Sequence, residues 1–153
     1  MEDLLQFFSN QFLITAVTAW FVAQSLKTVI HMFVYGKFDI RRLFGDGGMP
    51  SAHSATVTSV AAFSAYVFGF GSFQFAIAVI LATIVCHDAM GVRLETEKQT
   101  AVITELVNSS DNTANETLSN INLKAFVGHS GRQVFAGATV GILVATLMHF
   151  LVF

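Results

Sequence analysis

Residues 52–90 read AHSATVTSVAAFSAYVFGFGSFQFAIAVILATIVCHDAM, two apolar runs, Ala52 to Phe70 and Ser72 to Met90, that meet at the short uncharged turn Gly69-Phe70-Gly71-Ser72. Apart from Asp88 the stretch contains no Asp, Glu, Lys or Arg. Each run is close to the roughly 20 residues a helix needs to cross the hydrocarbon core of a bilayer. The pair therefore reads as a transmembrane helical hairpin.

Two more runs of similar length flank it, Gln11 to Val34 and Gln133 to Phe153. With 54% apolar against 12% charged residues and a mean hydropathy of +0.63, the composition excludes an ordinary soluble domain. The expected fold is all-α, a polytopic membrane bundle of about four transmembrane helices. It forms one domain over residues 1–153, interrupted by a polar loop at about 94–127. Glu2 and Asp3 stand where a secretory signal would carry basic residues, so no removable signal peptide is expected. Cys86 is the only cysteine, which excludes an intrachain disulfide and a multi-cysteine metal site. Its simplest role is that of a small apolar residue inside the bundle.

The connections differ in charge. All 8 Lys and Arg fall between Lys27 and Arg132. Lys37, Arg41 and Arg42 lie in the first connection, and Arg93, Lys98, Lys124 and Arg132 in the third, while the second has none. Four spans place the first and third connections on one face, which Lys27 can reach by snorkelling; the positive-inside rule makes that face cytoplasmic and leaves both termini outside. The third connection holds a polar run from Asn108 to Thr117 that reads as a flexible loop. Upstream of it, Ala101, Val102, Ile103, Leu106 and Val107 recur at helical spacing, as in a helix lying on the membrane surface. Asn108 and Asn115 begin glycosylation sequons that a cytoplasmic loop would leave unused.

Polar groups inside apolar spans are costly and mark function by default. In the first span Gln24, Lys27 or Thr28, and His31 follow at helical spacing and form one stripe, which must face the interior or a watery cavity. The plainer alternative is a Lys27 that only snorkels to the interface. Asp88 ends the third run, with Arg93 five residues on. A carboxylate there needs a cation, and a purely structural pair with Arg93 or Lys27 is the alternative to a functional role.

The second run opens on Gly47-Gly48-Met49-Pro50-Ser51-Ala52-His53-Ser54, with the only proline of the chain. Glycines permit close backbone approach, Pro50 presets the entry, Ser51 caps the helix, and the first N–H groups point unsatisfied to the basic face. Such a helix start binds anions. A capped helix start alone would account for Pro50 and Ser51, and leave His53 and the paired glycines unexplained.

This block, followed by Asp88-Ala89-Met90-Gly91-Val92-Arg93 and by Gly128-His129 with Val134 and Gly137, resembles the divergent PAP2 family, related to type 2 phosphatidic acid phosphatases and vanadium-dependent haloperoxidases. The resemblance extends from Gln24-Ser25-Leu26-Lys27 into the last span and implies a phosphate pocket that needs no metal or other cofactor. Lys27 and Arg93 would neutralise phosphoryl oxygens. Ser51, with the backbone at Gly48 and Ala52, would hold another oxygen. His53 would be the general acid and His129 the nucleophile.

The chain departs from the superfamily pattern at four places. Val34 stands where an arginine and proline follow the lysine, Ala52 replaces a glycine, a long polar loop separates Arg93 from His129, and Gln133 replaces the acid that supports the nucleophilic histidine. A glutamine carbonyl can set the imidazole tautomer but cannot stabilise the imidazolium; Asp88 would supply that charge if the fold brings it near. The resemblance thus implies a phosphatase for a lipid phosphate or diphosphate monoester, with a membrane lipid as substrate and no nucleic-acid partner. The alternative is a weak or inactive relative that binds phospholipid headgroups or scaffolds a partner. Gly137-Ala138-Thr139-Val140-Gly141 offers a GxxxG face, either for a homodimer or for packing within the monomer.

Overall fold

A computed structural model describes residues 1–36, 48–109 and 130–153. Among them all regular structure is helical: α1 (Glu2–Phe8), α2 (Gln11–Tyr35), α3 (Ala52–Phe68), α4 (Phe73–Met90), α5 (Val92–Ser109) and α6 (Gly131–Leu147), the last continued by a π-helical turn over Met148–Val152.

Small polar residues start the long helices where the apolar runs begin. The Asn10 side chain accepts the N–H groups of Phe12 and Leu13, the Ser51 hydroxyl accepts that of Ser54, and the Ser72 hydroxyl accepts that of Phe75. Each cap satisfies donors that a helix start leaves open. α2 stops at Gly36, whose φ of 65° lies in the left-handed region open to glycine. Within the spans, hydroxyls return to their own helix: Thr28 to the Gln24 carbonyl, Thr56 to Ala52, Thr83 to Val79 and Thr146 to Ile142. That leaves these hydroxyls compatible with an apolar environment.

Among the described residues, three helices are long and apolar enough to cross a membrane, over Gln11–Phe33, Phe73–Met90 and Gly131–Val152. The fourth expected span, α3, has 17 residues and at ~1.5 Å per residue is about 25 Å long. It is the middle of the bundle, packed against α2, α4 and α6. Its buried residues, including Ala52, Ser54, Ala55, Ser59, Ala61, Ser64 and Ala65, are mostly small, so neighbouring backbones come close. α4 lies at the edge and exposes Ile77, Ile80, Leu81 and Ile84, an apolar outer surface suited to lipid.

The α3–α6 seam is the tightest. A Cβ at Gly137 would collide with the Ser51 carbonyl, and one at Gly141 with the Ala55 carbonyl and Thr58 Oγ1. Thr58 also donates to the Ala138 carbonyl at 3.3 Å across the seam. The GxxxG face is therefore used inside the monomer. Farther along the same helices Phe63, fully buried, joins Ala19, Val144, Ala145 and Met148, with Phe12 edge-on at 5.0 Å.

Within the third connection, the helix expected from the spacing of Ala101 to Val107 is present as α5, longer at its start than that spacing required and separated from α4 by Gly91 alone. Apolar residues at helical spacing explain its formation, and Val102 and Ile103 are exposed on it. The sequon at Asn115 and most of the polar run lie outside the described residues, as do Lys37, Arg41, Arg42 and Gly47 of the first connection.

Candidate anion site

The polar stripe of α2 faces inward. Gln24, Lys27 and Thr28 are each no more than 5% exposed, and His31 is half-buried. Lys27 does not simply snorkel. Its aliphatic stem runs under the entry to α3, with Cγ 3.2 Å from where a Cβ on Gly48 would stand. Gly48 is thus needed twice, for that approach and for its φ of 89°. The carboxamide oxygen of Gln24, one turn deeper in the membrane than Lys27, is buried without a hydrogen-bond partner.

Ser51 is fully buried where α3 meets α6. Its N–H donates to the main-chain carbonyl of Gln133 at 3.0 Å, and its hydroxyl accepts from the Ser54 hydroxyl at 3.0 Å and the Ser54 N–H at 3.4 Å. Two donors of the first turn are consumed in this way. Helix geometry leaves the N–H of Ala52 without an intrahelical acceptor, and it points to where an anion would be met.

His53 is exposed, while Ala52 is buried beside Ala23 and Ala55. The antiparallel α3–α4 hairpin sets Ala61 against Ala78 and Ala82. Eight residues back along α3 and the same distance forward along α4 from that contact lie His53 and Asp88, so the two stand at one level of the bundle. The end of α4 also reaches α6: Met90 Sδ is 3.8 Å from where a Cβ on Gly131 would be.

Gln133 lies in the first turn of α6, and its Oε1 accepts the Ser130 N–H at 2.9 Å. The residue expected to orient the His129 imidazole therefore caps the helix that follows His129. Ser130-Gly131-Arg132-Gln133 has the S-x-x-Q spacing of a capping box, a signal present in the sequence that would have revealed this second role. The Gln133 main-chain carbonyl, which holds Ser51, carries no such signal. The structure thus brings Lys27, Gly48, Ser51, Ala52, His53, Asp88 and Gln133 to one end of the bundle. The side chain of Arg93 and all of His129 lie outside the described residues, although the Arg93 backbone in the first turn of α5 and Ser130 both belong to that end.

The structure thus sets a glycine-flanked helix start over a buried lysine and ties it to the start of α6. The sequence profile described as the Divergent PAP2 family matches residues 8–144. The chain belongs to this family. A relative from Bacillus subtilis (strain 168), "Uncharacterized membrane protein YuiD", is 33% identical over 153 residues, covering 94% of this chain and 97% of its own length. No solved structure matches the chain. As a divergent PAP2 protein it is an integral membrane protein, and the matched region contains every residue of the site described above.

Proposed function

We propose that this protein is a membrane-embedded phosphatase that hydrolyses a lipid phosphate or diphosphate monoester without a metal, on the cytoplasmic face, with both termini outside. The observation that carries the reading is the hydrogen bond from Ser51 to Gln133, which holds the start of α3, with Lys27 and Gly48 beneath it, against the residues that follow His129.

In the first step a neutral His129 imidazole attacks phosphorus, the bond from phosphorus to the lipid oxygen breaks, and His53 gives its proton to that leaving oxygen. In the second step water attacks the phosphohistidine, its proton passes to His53, the bond from phosphorus to the His129 nitrogen breaks, and phosphate leaves with His129 neutral again. Lys27, Arg93 and the N–H of Ala52 stabilise the charge spread over the transferring oxygens. Asp88, at the same end of the bundle, is the carboxylate that can supply the negative charge Gln133 lacks and support the imidazolium formed at His129.

Phosphate release from a panel of lipid phosphates in detergent tests the reading. His129→Ala and His53→Ala abolish turnover in folded protein, vanadate inhibits, and EDTA does not. Undiminished turnover in His129→Ala would refute the assignment.

One observation favours a second reading, a relative that binds phospholipid headgroups without hydrolysing them. Gln133 carries no charge and its Oε1 already holds the Ser130 N–H, so an imidazolium at His129 gains little from it. Binding of lipid phosphates with no release of phosphate by wild type would support that reading.

A further inference from the structure

A groove of about 540 Å³ runs down the lipid side of the bundle between α3, α4 and α6. Its floor is Ala61, Ala62 and Ala82, and its walls include Val79, Cys86 and Ile142. It extends along α4 from Phe75 to Met90, about 22 Å at ~1.5 Å per residue. One leaflet contributes about half of the ~30 Å hydrocarbon core, so the groove passes the bilayer midplane.

One end of this groove lies at the end of the bundle that holds the anion site. His87 and Met90 line it there, and Met90 Sδ is 3.8 Å from where a Cβ on Gly131, the first residue of α6, would stand, two residues before the carbonyl that holds Ser51. We propose that the groove takes the hydrocarbon chain of the lipid whose phosphate enters that site. Its occupant is a single chain longer than one leaflet, and the preferred ligand is a long single-chain lipid phosphate rather than a diacyl one. This rests on the anion site proposed above.

Several features support that occupant. The groove ends at the same end of the bundle as the site for a charged head, so one amphiphile reaches both. Alanines make the floor shallow and smooth, as an unbranched run of methylenes or a slender branched chain requires. A single groove accommodates one chain; a diacyl lipid would leave its second chain on the outer face of α4. A second copy of the protein is the competing occupant, and the experiment separates the two.

Cys86, the only cysteine, is half-buried in the groove wall and serves as the reporter. With purified protein in detergent, octadecyl phosphate slows alkylation of Cys86 by N-ethylmaleimide about tenfold, equivalent to ~1.4 kcal/mol of added protection. Octyl phosphate, inorganic phosphate and dioleoyl phosphatidic acid give much less. Thr83→Trp, placed on the exposed rim of the groove, lowers the affinity for octadecyl phosphate relative to octyl phosphate. Equal protection by dioleoyl phosphatidic acid, or none by octadecyl phosphate when octyl phosphate is bound, overturns the groove assignment and leaves the head site intact. Octadecanol protecting as well as octadecyl phosphate shows instead that the anion site adds nothing, which overturns the proposal together with the reading it rests on. A Cys86-to-Cys86 disulfide that forms in membranes and is indifferent to octadecyl phosphate assigns the groove to a second copy and also overturns it.

Discussion

The Ser51 N–H donates to the Gln133 carbonyl at 3.0 Å, so the first residues of α3 and α6 are held together by backbone alone. Ser51 spends its own N–H on this bond and its hydroxyl on Ser54, and Gln133 spends its side chain on Ser130. Both residues build the junction of two helix starts. An anion bound there is met by the N–H that follows Ser51, and the positive ends of two helix dipoles favour it.

Lys27 and Gly48 separate charge from packing. Lys27→Met keeps an apolar stem under Gly48 and removes the ammonium, so the protein folds while phosphate or vanadate binding weakens at least tenfold, about 1.4 kcal/mol. Gly48→Ala forces a side chain into the left-handed region and against Lys27, costing about 1–2 kcal/mol of stability. Calorimetric titration and thermal unfolding in detergent read the two effects. Unaltered anion affinity in Lys27→Met would remove the lysine from the site.

Gly141 tests the α3–α6 seam. Any side chain there meets the Ala55 carbonyl and Thr58, so Gly141→Val lowers stability by about 1–3 kcal/mol or prevents folding. Thermal unfolding and size-exclusion chromatography check the outcome. A variant that keeps its stability and only loses a dimer would return the GxxxG face to an intermolecular role.

Gln133→Glu retains an acceptor for the Ser130 N–H and adds a negative charge at a helix start, where it is favourable. The same charge supports an imidazolium at His129. Turnover of a lipid phosphate rises about 10-fold, equivalent to ~1.4 kcal/mol of barrier. If Asp88 already supplies the charge, the change has little effect and Asp88→Asn is severe. Initial rates of phosphate release decide between these outcomes.

The proposed topology rests on the distribution of basic residues. In a Cys86→Ala background, Ser110→Cys is shielded from an impermeant thiol reagent in intact cells and labelled after permeabilisation. Ready labelling in intact cells would reverse the orientation and put the site outside.

The sequence alone determined what depends on local or compositional physics. Apolar runs near membrane length, the Ser51 cap and an uncharged glycine turn are each readable within a few residues, and the structure has helices at all four runs. The Gly48-to-His53 block read as a capped helix start, and the structure begins α3 there with Ser51 as its cap, because capping depends on one helix end and its flanking residues.

Only the tertiary structure decided where these pieces meet. Lys27 could snorkel or turn inward by its own chemistry, and the close pass of Gly48 settles that it is buried. Gly137 and Gly141 could serve a dimer or the monomer, and contact with the carbonyls of α3 uses them within the chain. The level shared by His53 and Asp88 depends on the register of an antiparallel hairpin, and the Ser51–Gln133 bond joins residues far apart in sequence through groups that every residue carries. Backbone carbonyls and packing distances have no signature in residue type, so that part of the site became visible only when the helices were assembled.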